Sequence, residues 1–143
     1  MKCEIVIDEN AEEKVVIYAK NNSRLVQNIQ QMVEASQLGL VGYNGKEIVT
    51  LNLADIYCIT VTGGKTCAIC KNETLQLKER LYVLEEKLPD FFLKLNQSCI
   101  ANMHMIERFD ASISGTLKVR FKNGYTDYVS RRQLKQVKER IGI

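Results

Sequence analysis

One histidine, His104, and five cysteines, Cys3, Cys58, Cys67, Cys70 and Cys99, are the residues best suited to nucleophilic, redox or metal chemistry. His104 has no Ser or Cys nucleophile in a recognisable local frame, and no Gly-rich phosphate loop occurs. Cys67-Ala68-Ile69-Cys70 has CxxC spacing, but it lies in an expected strand, where positions i and i+3 point to opposite faces. A structural zinc would want two more ligands at matching spacing, and only Cys58, Cys99 and His104 are at hand. No catalytic constellation, metal site or cofactor is expected, and the cysteines read as reduced thiols packed as small apolar residues.

Cationic chemistry is better represented. From Gly115 to Ile143 there are eight basic residues against two acidic ones, a net +6, whereas Met1 to Gly45 carries net −2. Lys118, Arg120 and Lys122 alternate with Leu117, Val119 and Phe121, so one strand face is basic and the other apolar. Arg131 and Arg132 sit where a strand is expected to give way to a helix. Guanidinium groups placed there can span to phosphates and can offer a two-donor fork to guanine O6 and N7. A one-ended basic face points to a polyanion, either nucleic acid or an anionic membrane surface.

The elements that position these groups follow from the pattern. The chain has 143 residues and a mass of 16.3 kDa, enough for one domain with a short appendage. Composition is that of an ordinary globule, with 45% hydrophobic and 26% charged residues. No apolar run approaches the ~20 residues of a membrane span, and the start lacks a signal-peptide core, so a cytoplasmic location is expected. Glu4–Ile7 and Lys14–Ala19 read as strands, and a helix capped by Ser23 carries Leu25, Ile29, Met32 and Val33 on one face. Asn44-Gly45 marks a turn and the expected boundary between a 1–45 ββα extension and a 46–143 domain. Beyond it, strands are expected at 48–51, 56–62, 66–70, 73–79, 91–95, 106–111, 116–121 and 125–129. Gly63-Gly64 and Asn123-Gly124 supply hairpin turns. Leu81, Leu84 and Leu88 mark a helix before Pro89, and Leu134, Val137 and Ile141 mark one after Ser130. The fold class is mainly β (α+β).

From about Lys46 to Ile143 the sequence resembles a LytTR-type DNA-binding domain. The resemblance is carried by Leu51-Asn52-Leu53-Ala54-Asp55-Ile56-Tyr57, Leu84-Glu85-Glu86-Lys87-Leu88-Pro89, and Phe92 through Asn102 (FLKLNQSCIAN). Phe121-Lys122-Asn123-Gly124 and Val129-Ser130-Arg131-Arg132-Gln133-Leu134-Lys135 follow in the same order. It implies about ten short strands that bind duplex DNA by loops at one edge, entering successive major grooves of a direct-repeat site and bending the duplex. The matching positions are the Gly63-Gly64-Lys65-Thr66 hairpin, Asn96-Gln97-Ser98 and Ser130-Arg131-Arg132. By role, Asn96, Gln97 and Arg132 are expected to read bases, and Lys65, Ser98, Lys118 and Arg131 to hold the backbone. Asn96 and Gln97 stand where many members carry histidine and arginine or asparagine; carboxamides match adenine N6 and N7. Asn102 is expected to fix its loop.

The resemblance further implies a single-domain regulator without a phosphoacceptor receiver, a homodimer on tandem half-sites, and a small membrane protein that holds it inactive. The first 45 residues would serve dimerisation or partner docking. An adaptor that applies its β edge and basic end to a protein or anionic surface is the competing non-enzymatic reading; a dependence of binding on duplex sequence separates the two.

Overall fold

A computed structural model describes residues 1–37, 39–111 and 115–143. Among them, ten strands form two antiparallel sheets, accompanied by three α-helices. The larger sheet is built from β1 (Gly39–Asn44), β2 (Glu47–Asn52), β3 (Cys58–Thr62), β4 (Lys65–Ile69), β5 (Thr74–Leu77), β6 (Phe92–Asn96) and β7 (Cys99–Asn102), in the order β2-β1-β5-β4-β3-β7-β6. The smaller has β8 (Ile106–Ala111), β9 (Leu117–Phe121) and β10 (Thr126–Val129), with β9 central. Helix α1 spans Arg24–Gln37, α2 Leu81–Lys87 and α3 Arg131–Ile141.

Strand alternation sends side chains of the large sheet into two cores. Leu51, Ile59, Leu75 and Ile100 pack with Leu84 of α2 and with Phe92. Cys58, Leu95 and Ala101 meet Val119, Phe121 and Val129 of the small sheet and Val137 of α3. Leu117, Val119 and Phe121 are buried while Lys118 and Arg120 are exposed, which is the alternation expected of β9. Gly63 and Gly64 both adopt positive φ, 59° and 76°, the conformation a two-residue hairpin turn needs and a side chain resists.

Two expectations need correction. Glu4–Ile7 and Lys14–Ala19 are not strands: both segments lie outside any ladder, and Ile7 is 89% exposed. A two-stranded hairpin with nothing packed on its face is marginal in water, and no sheet edge of the domain receives it. The helix does form, with Ser23 Oγ accepting from Val26 N at 3.4 Å, but Val26, Ile29, Gln31 and Val33 are half-buried and Leu25 and Met32 are exposed. The helix ends at Gln37; Leu38 lies outside the described residues.

The boundary after Gly45 falls at the tip of the β1–β2 hairpin. β1 therefore belongs to the large sheet, paired on one side with β2 and on the other with β5. A Cβ at Gly42 would lie 2.8 Å from Leu75 Cβ, so the strand's closeness to the core depends on that glycine. β7 was not expected as a separate strand. Asn102 at its end is 1% exposed, donates from Nδ2 to Ile56 O at 2.9 Å and accepts from His104 N at 3.0 Å, so it does fix its loop.

Candidate nucleic-acid interface

Three connections meet at one rim of the fold: the β3–β4 hairpin at Gly63-Gly64, the β6–β7 loop at Gln97-Ser98, and the β10–α3 corner at Ser130-Arg131-Arg132. Backbone hydrogen bonds join them. Val61 N donates to Ser98 O at 3.0 Å, tying the hairpin strand to the loop. Ser130 N donates to Leu95 O at 2.9 Å, tying the corner to the strand that feeds the same loop. Lys65, Gln97, Ser98, Arg131 and Arg132 are exposed there. Lys118 is exposed on the outer face of β9, directly opposite Tyr128 in the ladder and so beside the corner. Arg120, two residues along, is held by Glu107, with Nε 3.5 Å from Oε2.

Asn96 has a different place from the expected one. It is 4% exposed, and its Nδ2 donates to Asp127 Oδ1 at 2.9 Å and to Tyr128 O at 2.8 Å. Its Oδ1 accepts from Ser98 N at 2.8 Å, an Asx turn that shapes the loop. The carboxamide is thus committed to the protein and could face a base only by giving up these bonds, a geometry that argues against the base-reading expectation for Asn96. Residue type and loop position suit both roles, and a partner 31 residues away cannot be seen from local pattern. Asp127 also accepts from Tyr128 N at 2.8 Å and from the Tyr125 hydroxyl at 3.3 Å. Burial first, and the Asp127 charge next, push the Tyr125 phenol well above its ordinary range. This network locks the 96–98 loop to β10, and β10 delivers the arginine corner.

The corner itself is electrostatically unfavourable for the isolated protein. Arg131 and Arg132 occupy the first turn of α3, no acidic residue accompanies them, and the Ser130 side chain makes no capping bond. Cations at the positive end of a helix each cost about 0.3–1 kcal/mol, and the unsatisfied N–H groups there favour an anion. At the opposite end the chemistry is conventional, with Lys138 and Arg140 in the last turn and Gly142 left-handed at φ 85°. The two arginines are therefore arranged for an external negative charge.

Sequence reading missed a groove of about 550 Å³ leading away from the rim. Lys65, Lys78, Arg80, Lys94 and Gln97 line it. Lys94 Nζ lies 3.4 Å from Glu85 Oε2, and Lys78 Nζ sits 5.1 Å from the centre of the Tyr43 ring. The hydrogen bond to Tyr43 raises the Lys78 pKa. Lys65 comes from β4, Lys94 from β6, and Lys78 and Arg80 from the connection between β5 and α2, so no charge run announced them. Only the sheet order, which sets β5 beside β4 and places β7 and then β6 beyond β3, assembles them.

Cys67 and Cys70 are both half-buried, and burial, helped by Glu73, pushes the Cys70 thiol up to about 11. His104 is exposed with its ring 5.1 Å from that of Phe91. Among the described residues, no group of three or more His, Cys, Asp or Glu side chains is placed to hold a metal ion.

Residues 46–142 match the LytTr DNA-binding domain family. An uncharacterized HTH-type transcriptional regulator of Staphylococcus aureus (strain NCTC 8325 / PS 47) is 35% identical over 146 residues, covering 100% of this chain and 99% of its own. A namesake from the bovine strain RF122 is 34% identical over the same span. In this chain, however, α2 and α3 are separated by five strands and form no helix-turn-helix. A LytTr DNA-binding domain from Bacillus cereus superposes with a TM-score of 0.70 at 18% identity, over 73% of this chain and 97% of that one. The fold, the loop rim and the match over two-thirds of the sequence lead to one assignment: the chain belongs to the LytTr DNA-binding domain family.

Proposed function

We propose that the protein is a sequence-specific regulator of transcription that grips double-stranded DNA with the three-loop rim. One observation carries this reading: hairpin, loop and corner are hydrogen-bonded into a single edge whose exposed tips are Lys65, Gln97, Ser98, Arg131 and Arg132. Gln97 and Arg132 read base edges in the major groove, the carboxamide matching adenine and the guanidinium matching guanine. Lys65, Ser98, Arg131 and Lys118 contact the backbone, which sets register and supplies most of the affinity through phosphate neutralisation. Asn96 positions Gln97 and Ser98 rather than touching DNA. Arg80 and Lys78 extend the phosphate path along the groove.

The role is non-enzymatic and needs no cofactor. The protein works in the cytoplasm as a homodimer on direct-repeat promoter sites, and a small membrane protein restrains it. Among the described residues, no helix is long and apolar enough to cross a membrane. The test is selection of bound duplexes from a random pool at 150–200 mM salt, where general attraction is suppressed. Enrichment of a repeated half-site supports the reading; recovery of an unenriched pool would refute it.

A further inference from the structure

The first 22 residues form an arm that is exposed along its length except at Ile17, which is half-buried. Val15 and Val16 are 57% and 56% exposed, Tyr18 is 94% exposed, and Ile5 and Ile7 exceed three-quarters. Adjacent β-branched side chains have high strand propensity, and a strand outside a ladder leaves its N–H and C=O groups open to a partner. We propose that the occupant is a second copy of the same arm, with residues 12–20 of two chains paired antiparallel about Val16. This does not rest on the DNA-binding reading.

Charge selects both partner and register. Centred on Val16, the pairing sets Glu12 against Lys20, Lys14 against Tyr18 and Val16 against its own mate. These residues share one face of the strand, so the two-fold axis produces two Glu–Lys pairs and two Lys–Tyr cation–π pairs. The opposite face gathers Val15, Ile17 and Ala19 from both chains into one apolar surface, with Glu13 at its margins. Ile5 and Ile7, which also share a face, supply cover for that surface from a flanking strand. Moving the centre to Ile17 would oppose Lys14 to Lys20, and moving it to Val15 would oppose Lys20 to Asn10. Of these three registers, only the one centred on Val16 forms the ion pairs. In the single chain Lys14 reaches Glu12 across 3.8 Å, and as next-but-one neighbours on the same strand face they keep that contact. Lys20–Ser23 has neither helix nor strand, so the link to α1 lets a two-fold arm pair serve domains that lie head to tail on a direct repeat.

The test is sedimentation equilibrium of the full chain without DNA. The wild type is expected to dimerise, and Val16→Lys, which opposes two like charges at the axis, is expected to be monomeric with an unchanged unfolding curve. Lys20→Glu should weaken the dimer about tenfold, and adding Glu12→Lys should restore it. In a Cys3→Ser background, Val16→Cys should form a disulfide-linked dimer under mild oxidation. A wild type that stays monomeric would overturn the proposal and assign the arm to another protein. So would a dimer indifferent to Val16→Lys, one lost instead on Ile48→Lys at the β2 edge, or a charge swap that fails to restore pairing.

Discussion

Replacing Asn96 with alanine separates a positioning residue from a reading one. The carboxamide makes three hydrogen bonds, two donated to Asp127 Oδ1 and Tyr128 O and one accepted from Ser98 N. A bond to a charged group contributes about 1.5–3 kcal/mol and a neutral one about 1 kcal/mol. The network is only partly buried, so water recovers some of this, and the expected loss is about 2–4 kcal/mol in urea unfolding. That is a large share of the 5–15 kcal/mol typical of a domain. DNA affinity, measured by titration under folding conditions, should fall about tenfold on every duplex, since the loop carrying Gln97 and Ser98 is no longer held in place. The pattern of base preference should survive. Unchanged stability together with lost discrimination at one base position would refute the reasoning and return Asn96 to the bases.

Other consequences follow from the same geometry. Arg131→Glu with Arg132→Glu should raise unfolding free energy by about 1 kcal/mol by relieving the α3 terminus, while abolishing DNA binding; a loss of both would show that the arginines serve the fold. Lys118→Ala should weaken all duplexes alike and lower the salt slope by about one, read from titrations at several salt concentrations. Gly42→Ala should cost about 1–3 kcal/mol in chemical unfolding, because the new methyl meets Leu75 at 2.8 Å. The Cys70 thiol is pushed up to about 11 in the folded protein. Above pH 9 the unfolded chain then releases a proton that the native state retains. Stability should therefore fall between pH 9 and 11, less steeply in Cys70→Ser, when unfolding is followed across that range.

Legibility varied with how local the determining physics is. β9 was legible because Leu117, Val119 and Phe121 alternate with basic residues and Asn123-Gly124 closes the hairpin. α3 was legible from the spacing of Leu134, Val137 and Ile141. β1 was not: Gly-Leu-Val-Gly-Tyr-Asn has weak strand propensity, and pairing on both sides makes it a strand. β7 was hidden because all four of its residues are buried, so no alternation exists to detect. The arm failed in the opposite sense, with strong local propensity and no ladder in the single chain. At the rim, the exposed tips follow from loop position, whereas the Asn96–Asp127 lock and the groove that joins Lys65 to Arg80 are products of the tertiary fold.

Methylation interference on a selected duplex tests the rim most directly. Dimethyl sulfate marks guanine N7 in the major groove and adenine N3 in the minor groove. The account predicts that N7 methylation within each half-site blocks the wild type and that one of these blocks disappears with Arg132→Ala. Interference confined to adenine N3, or an N7 pattern unchanged by Arg132→Ala, would contradict it.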